Sequence, residues 1–411
     1  MLYQLHELNR AFLTPLTRWA ETNAQLLRHP YSLFAYLPFS HRAAAGYELL
    51  YRLGKPYDKP SFDIHNITID SHTVTVTEEV VLEKPFCRLR HFRRDFPAHL
   101  AKRKADPVVL VFAPLSGHHA TLLRDTVRTL LHDHDVYITD WIDARLVPLS
   151  AGPFHLDDYV RYCIEFIQLL GPDLHLISVC QPTVPVLAAV SLLSTRKDGH
   201  LPKSMTMMGG PIDARSSPTA VNTLASEKPY SWFENQVIFT VPHKYPGYLR
   251  RVYPGFLQHT GFVAMNPDRH MQSHWDFYLH LVEGDGESAE AHRQFYDEYN
   301  AVLDLPAEYY LDTIKTVFQE FALPEGKWIV DGQRVAPEDI KGVALFTIEG
   351  EFDDISGSGQ TEAAHKLCKN IAAKHKQHFT APQCGHYGIF SGRRWREVVY
   401  PKIRDFIHTH I

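Results

Sequence analysis

Apolar residues along this chain change their period several times, and each change marks a different element. In the first sixty residues Leu5, Leu8, Phe12, Leu16 and Trp19 recur at spacings of 3, 4, 4 and 3, which lines one face of a helix. That face is expected to pack on the body of the protein; the alternative is an apolar face for a partner or a hydrophobic particle. SHTVTVTEEVVLEKP (71–85) then alternates, which predicts strands. From residue 107 the pattern becomes one of continuous apolar runs. PVVLVFAP (107–114) reads as a parallel strand buried on both faces. It is followed by a helix in ATLLRDTVRTLL (120–131), a strand in HDVYITDW (134–141) and a helix in LDDYVRYCIEFIQLLG (156–171) closed by Gly171. LHLISV (174–179) is another buried strand and TVPVLAAVSLLS (183–194) another helix. Such alternation means an α/β fold, a parallel sheet with helices on its faces. KSMTMMGGPID (203–213), VALFTIEG (343–350) and QHFTAP (377–382) extend the sheet.

Between Ile212 and about Lys341 the strand–helix rhythm is lost and aromatics accumulate, among them Tyr230, Trp232, Phe233, Tyr253, Trp275 and Tyr278. The stretch reads as mostly helical, most clearly in EAHRQFYDEYN and PAEYYLDTIKTVFQEFAL. The expected organisation is an N-terminal helical segment (1–60), a core formed by 61–211 and 342–411, and an inserted lid (212–341) over the sheet's carboxyl edge. Most of the lid's aromatics are needed for its own core.

Composition narrows the function. A formal net charge of −5 gives no bulk attraction to nucleic acid. The basic runs at Arg88, Arg90, Arg93, Arg94 and at Lys102–Lys104 are expected to be solvated faces. The N-terminus carries Glu7, Arg10 and Arg18 and lacks a secretory apolar core, and no later run suits a transmembrane segment. Cysteines at 87, 163, 180, 368 and 384 form no CxxC pair, which points to reduced thiols and a cytoplasmic location.

In a parallel sheet, ligands bind at the carboxyl ends of the strands. Cys180 falls at such an end, between LHLISV and the next helix, where a sulfur on a tight turn is exposed beside a helix N-terminus. Pro182 suits the first helical turn, which needs no intrahelical N–H bond. The surrounding Ser178-Val179-Cys180-Gln181-Pro182 lacks both glycines and the serine of the G-x-S-x-G nucleophile elbow, so alone it says little. Its partners say more. A nucleophile of this kind needs a base, and the base needs an acid, in the chain order nucleophile, acid, histidine. EGEFDDISG (349–357) follows a strand and supplies Asp353 and Asp354; QCGHYGIFSG (383–392) follows another and supplies His386. With 26 histidines in the chain, a single His means little; three strand-end loops in the required order mean a great deal.

SVCQP, APLSGHH, YITDWIDARLVPLS, DLPAEYYLDTIKTVFQ, EGEFDDISG with the following GQT, and CGHYGIFSG together resemble the bacterial intracellular polyhydroxyalkanoate (polyhydroxybutyrate) depolymerases, essentially from end to end. A more distant likeness is to polyhydroxyalkanoate synthases. The resemblance implies an α/β-hydrolase fold with a mostly parallel central sheet, a helical aromatic-rich lid and an N-terminal helical extension. It implies a carboxylic ester hydrolase in the cytoplasm that acts on amorphous storage polyester in granules. Carried over, it makes Cys180 the nucleophile, His386 the base and Asp353 the acid, with Asp354 the runner-up. Backbone N–H groups of Gln181 and of Leu115 or Ser116 would form the oxyanion hole. No metal or resident cofactor is expected, CoA being a candidate acyl acceptor; the expected partner is the granule surface, with a homo-oligomer left open. The competing readings are a synthase-like acyltransferase and a non-catalytic granule coat.

Other residues tempt less. His118 and His119 flank the oxyanion loop, with contact to substrate and a structural role equally open. His132-Asp133-His134-Asp135 falls in a helix-to-strand turn, where polar residues are ordinary. His270 and His274 share helical spacing without the Glu of H-E-x-x-H. Cys384 stands in the histidine loop and is assigned to packing.

Overall fold

The computed structural model describes residues 2–96 and 105–411. In chain order the sheet-forming part comprises β1 (Asn66–Ile69), β2 (His72–Lys84), β3 (Cys87–Asp95), β4 (Val108–Phe112), β5 (Asp135–Trp141), β6 (Leu174–Val179) and β7 (Ser204–Met208). The lid contributes short strands β8 (Phe239–Thr240), β9 (Arg251–Tyr253), β10 (Leu305–Pro306), β11 (Ile329–Val330) and β12 (Gln333–Arg334). The chain then returns for β13 (Ala344–Gly350) and β14 (Lys376–Ala381). Nine strands form one sheet in the order β1-β2-β3-β5-β4-β6-β7-β13-β14. Strands β1, β2, β3 and β5 pair antiparallel, and from β5 to β14 all pairings are parallel.

Helices α1 (Leu2–Arg28) and α2 (Ser40–Gly54) precede the sheet, and α3 (Arg124–Leu130), α4 (Leu156–Leu170) and α5 (Thr183–Thr195) connect its strands. Every residue of β6, β7 and β13 is buried, as continuous apolar runs require when helices cover both faces. Gly171 closes α4 with φ +84, which a side chain would strain. This is an α/β-hydrolase fold.

The lid holds α6 (Ala220–Glu227), α7 (Tyr230–Gln236), α8 (Gly255–Met265), α9 (Pro267–Glu283), α10 (Gly286–Tyr299) and α11 (Ala307–Thr313). It is less purely helical than its sequence predicts, because β8, β9 and β10 form a small antiparallel sheet. Leu305 pairs with Tyr253 across some fifty residues, and periodicity within a window cannot register so distant a partner.

Two further expectations are corrected. The basic run of β3 is not wholly a solvated face: Arg94 pairs with Asp106 at 2.8 Å, and Arg90 donates to the buried carboxylate of Asp140 at 2.6 Å. Arg88 and Arg93 remain largely exposed, each paired with a Glu at the surface. Lys102–Lys104 lie outside the described residues. The stripe Leu5, Leu8, Phe12, Leu16 and Trp19 does not pack on the body; all five side chains are exposed. Helix α1 is held through its other face, by Tyr3, Thr17, Ala20 and Ala24. Small residues there, matched by Ala44 and Ala45 of α2, let the two helices approach closely and leave the bulky residues outside.

A buried polar knot ties α1, lid and core together. The Tyr3 hydroxyl donates to Asp304 at 2.7 Å, the N–H of Gly255 donates to the same carboxylate at 2.8 Å, and the N–H of Asp304 donates to Asp143 at 3.2 Å. Burial, opposed by Arg145, pushes the Asp143 carboxyl up to about 7 and raises that of Asp304.

Candidate active site

Strand β6 ends at Val179, and the chain turns through Cys180 with φ +67 before α5 begins at Thr183. A left-handed conformation at a residue bearing a Cβ costs about 1–3 kcal/mol and persists only where its surroundings enforce it. Here the N–H of Cys180 donates to Met208 at 2.7 Å, while its carbonyl accepts from the N–H and hydroxyl of Thr183 at 3.1 and 2.9 Å. Pro182 is the cap residue with helical angles, and its carbonyl accepts from Val186.

The missing elbow glycines have a counterpart on the next strand. A Cβ on Gly210 would lie 1.8 Å from Thr183 Oγ1 and 2.5 Å from the Cys180 carbonyl oxygen. One on Gly209 (φ +55) would meet Ile389 at 2.8 Å and crowd His386 and Asp353 at 3.2 and 3.3 Å. The close approach usually granted by glycines beside the nucleophile is granted by this pair after β7.

The acid loop follows β13. Glu349, buried at the strand's end, accepts the N–H groups of Gly359, Thr361 and Glu362 and so braces the loop. Asp353, whose side chain is fully buried, accepts the N–H groups of Ile355 and Ser356 on one oxygen at 2.9 and 2.8 Å. Its other oxygen accepts from His386 Nδ1 at 2.7 Å. Asp354 points elsewhere and accepts from Asn266 at 3.1 Å. The histidine loop docks on the acid loop where the N–H of Phe352 donates to Cys384 at 2.9 Å, and a Cβ on Gly350 would abolish that approach.

The third contact closes the set. The Cys180 side chain lies near enough to His386 to act on its proton affinity, while Nδ1 is committed to Asp353. Burial by itself would lower the imidazole's proton affinity, but the charges and hydrogen bonds of Asp353 and Cys180 hold it well above the usual range. The structure therefore brings Cys180, Asp353 and His386 together. Cys180 is also the only one of the five free cysteines that is not buried. Burial pushes the Cys368 thiol up to about 12 and raises those of Cys87, Cys163 and Cys384.

Among the described residues, no group accepts a hydrogen bond from the backbone N–H of Gln181, Leu115 or Ser116. The loop of Leu115 and Ser116 is anchored just beyond them: Gly117 (φ +113) accepts from Leu303 of the lid at 2.8 Å, and a Cβ there would strike Gln258 and Phe262. His118 is buried, stacks on Phe262 at 4.8 Å and contacts the Tyr299 carbonyl at 3.2 Å, so it joins loop to lid. His119 is buried too, and burial pushes it down to about 3.

Sequence reading passed over two tyrosines. Tyr309 of α11 is buried with its hydroxyl beside Gln181 and Cys180; burial first, and the nearby sulfur second, raise its proton affinity far above an ordinary phenol's. Tyr387 is raised by burial first, then by its neighbour Tyr299 and by Cys180. Their signal in the sequence was only membership of motifs already quoted, PAEYY and CGHYG. Of the other tempting groups, His134 is buried behind Tyr400 and His408, His270 Nδ1 contacts the Tyr296 hydroxyl at 2.9 Å, and His274 lies against His292. Among the described residues no three His, Cys, Asp or Glu side chains are grouped as metal ligands.

A cysteine on a tight turn at the carboxyl edge of a mostly parallel sheet, with a carboxylate and a histidine on later strand ends, is the arrangement expected in an α/β-hydrolase, here a carboxylic ester hydrolase. Residues 209–411 match the family described as PHB de-polymerase C-terminus. That match takes in the chain's C-terminal part, just under half of its length, and is similarity to that family over those residues. No curated protein matches the chain in sequence. Solved structures similar to it include the 2-hydroxy-6-oxo-6-phenylhexa-2,4-dienoate hydrolase of Rhodococcus sp. strain RHA1, at 13% identity and TM-score 0.45, covering 82% of this chain and 99% of that one. Another is the monoacylglycerol lipase of Paleococcus ferrophilus, at 14% identity and TM-score 0.44, covering 75% and 97%.

Proposed function

We propose that the protein hydrolyses the ester bonds of amorphous poly(3-hydroxybutyrate) or related storage polyester through a thioester on Cys180, in the cytoplasm and at the granule surface. The observation that carries this is the buried Asp353–His386 pair, at 2.7 Å, with the Cys180 side chain beside the imidazole. The sulfur attacks the carbonyl carbon of a 3-hydroxyacyl unit, and the developing oxyanion is met by the N–H of Gln181 and that of Leu115 or Ser116. The C–O bond breaks, and the departing chain oxygen takes its proton from His386. His386 then removes a proton from water, whose oxygen displaces the thiol and releases a hydroxyacid or short oligomer. CoA entering in place of water would leave as acyl-CoA. Asp353 keeps Nδ1 as the donor and steadies the imidazolium throughout.

Tyr309, Tyr387 and the lid exclude water around the acyl group, which favours polymer over bulk solvent during acylation. The test is incubation of purified protein with amorphous granules, with and without CoA, identifying the soluble products by mass spectrometry. Release of 3-hydroxybutyrate or its oligomers, lost in Cys180→Ala together with acyl labelling at residue 180, is the expected result. Undiminished release by that variant would remove Cys180 from the chemistry.

A further inference from the structure

The N-terminal helices carry an apolar surface that the catalytic site does not use. Among the described residues, 32 large hydrophobic side chains are exposed, and 14 of them fall between Leu2 and Phe39, less than a tenth of the chain. Phe12 is 80% exposed, Tyr31 92% and Leu33 86%. So dense a run is not the ordinary scatter of single apolar residues on a soluble protein. Nor is it a core face waiting for the rest of the fold, because the opposite side of α1 is already docked. Tyr3 holds Asp304, Glu7 accepts from Tyr245 at 3.0 Å, and Ala20 and Ala24 are buried.

We propose that the outward face of α1 and the following Tyr31–Phe39 segment is the surface by which the enzyme adsorbs to uncharged polyester. The proposal rests on the reading of function given above. Charge chooses this occupant. From Leu2 to Leu16 every exposed residue is uncharged. Glu7 is turned to Lys244 and Tyr245, and Arg10 leans on Glu7. An interfacial helix for anionic lipid or nucleic acid would place Lys and Arg along its polar border; between Leu2 and Leu16 none is exposed, and the exposed Arg18 and Arg28 come only beyond that stretch. Its ends carry Trp19, Tyr31 and Tyr36, amphipathic rings suited to a boundary between apolar matter and water.

Shape excludes the simplest alternative, a coiled-coil pair of two copies. The spacing 3, 4, 4, 3 breaks the heptad, Pro15 removes a backbone donor inside the helix, and exposure continues past its end into the short 3-10 turn Leu33–Tyr36. At about 1.5 Å per residue, the 27-residue helix offers a strip about 40 Å long, convex rather than grooved. The docked face of α1, opposite the strip, leads inward toward the loop of Leu115 and Ser116. Tyr3 meets Phe256 of α8 edge-on at 5.5 Å, and Phe262 of the same helix stacks on His118 beside the oxyanion loop.

The experiment measures adsorption to amorphous poly(3-hydroxybutyrate) granules by sedimentation, alongside hydrolysis of the soluble 3-hydroxybutyrate trimer. The variant Leu8→Ser/Phe12→Ser/Leu33→Ser changes exposed side chains only and is checked for an unaltered melting temperature. The expected result is adsorption weakened at least tenfold, with trimer hydrolysis unchanged. Adsorption equal to wild type overturns the proposal. So does tighter wild-type binding to phosphatidylglycerol vesicles than to granules, or a wild-type dimer that the variant converts to monomer. Failure of the wild type to cleave the trimer instead overturns the reading of function.

Discussion

Helices α5 and α1 are both rich in apolar residues, and they have opposite fates. In α5 every residue from Thr183 to Leu193 is buried, because the helix starts at the nucleophile turn and runs back across the sheet under α4. In α1 only Tyr3, Thr17, Ala20 and Ala24 are buried, and the large side chains face outward. One helix spends its hydrophobicity on holding Cys180 in a strained turn; the other leaves it available. An apolar pattern thus announces a surface that leaves water, and only the surroundings decide whether it does so on folding or on binding.

The contrast can be broken at several strengths. The largest effect is expected at the turn that α5 supports: Cys180→Ala should reduce ester turnover by at least about 10⁴-fold while the melting temperature and granule adsorption stay unchanged. Steady-state turnover of a soluble hydroxybutyrate ester checks this. Asp353→Asn comes next. It keeps the shape but removes the charge that raises His386, and turnover should fall on the order of 10³–10⁴-fold with substrate binding little altered. If kcat and KM both stayed at wild-type values, Asp353 would not be the acid.

The two helices can also be compared directly by stability. Leu187→Ala, in the fully buried row of α5, should cost about 2–5 kcal/mol in urea unfolding. Leu8→Ala, on the exposed row of α1, should stay within about 0.5 kcal/mol. Equal losses would mean that α1 is packed as α5 is.

The smallest effect concerns what fastens α1 to the lid. Asp143 and Asp304 hold their protons to higher pH in the folded state than in the unfolded chain. As pH rises through the ordinary carboxylate range the unfolded chain gives up these protons first, so the pair's contribution to stability falls progressively until about pH 7 and then levels off. Asp143→Asn should flatten that slope in a pH series of melting temperatures. An unchanged slope would show that the knot does not titrate as a unit.

Much of the parallel sheet was legible because buried strands leave continuous apolar runs; β4, β6, β7 and β13 lie where those runs predict them. Strand β3 was not, since CRLRHFRRD owes its place to partners on β2 and β5 and to the carboxylate of Asp140. Within the site, the order of Cys180, Asp353 and His386 was visible along the chain. The part played by Gly209 and Gly210 was not, because a glycine's value there lies in what a Cβ would strike, and those atoms come from residues far away in sequence.

By itself the sequence determined the succession of strands and helices and the loops bearing thiol, carboxylate and imidazole, because short-range periodicity and turn chemistry are local properties of the chain. Tertiary structure alone decided that Tyr309 and Tyr387 stand near the sulfur, and that α1 keeps its large side chains outside. Each of these depends on which surface a remote segment has already occupied, and close packing lets only one side of a residue claim it.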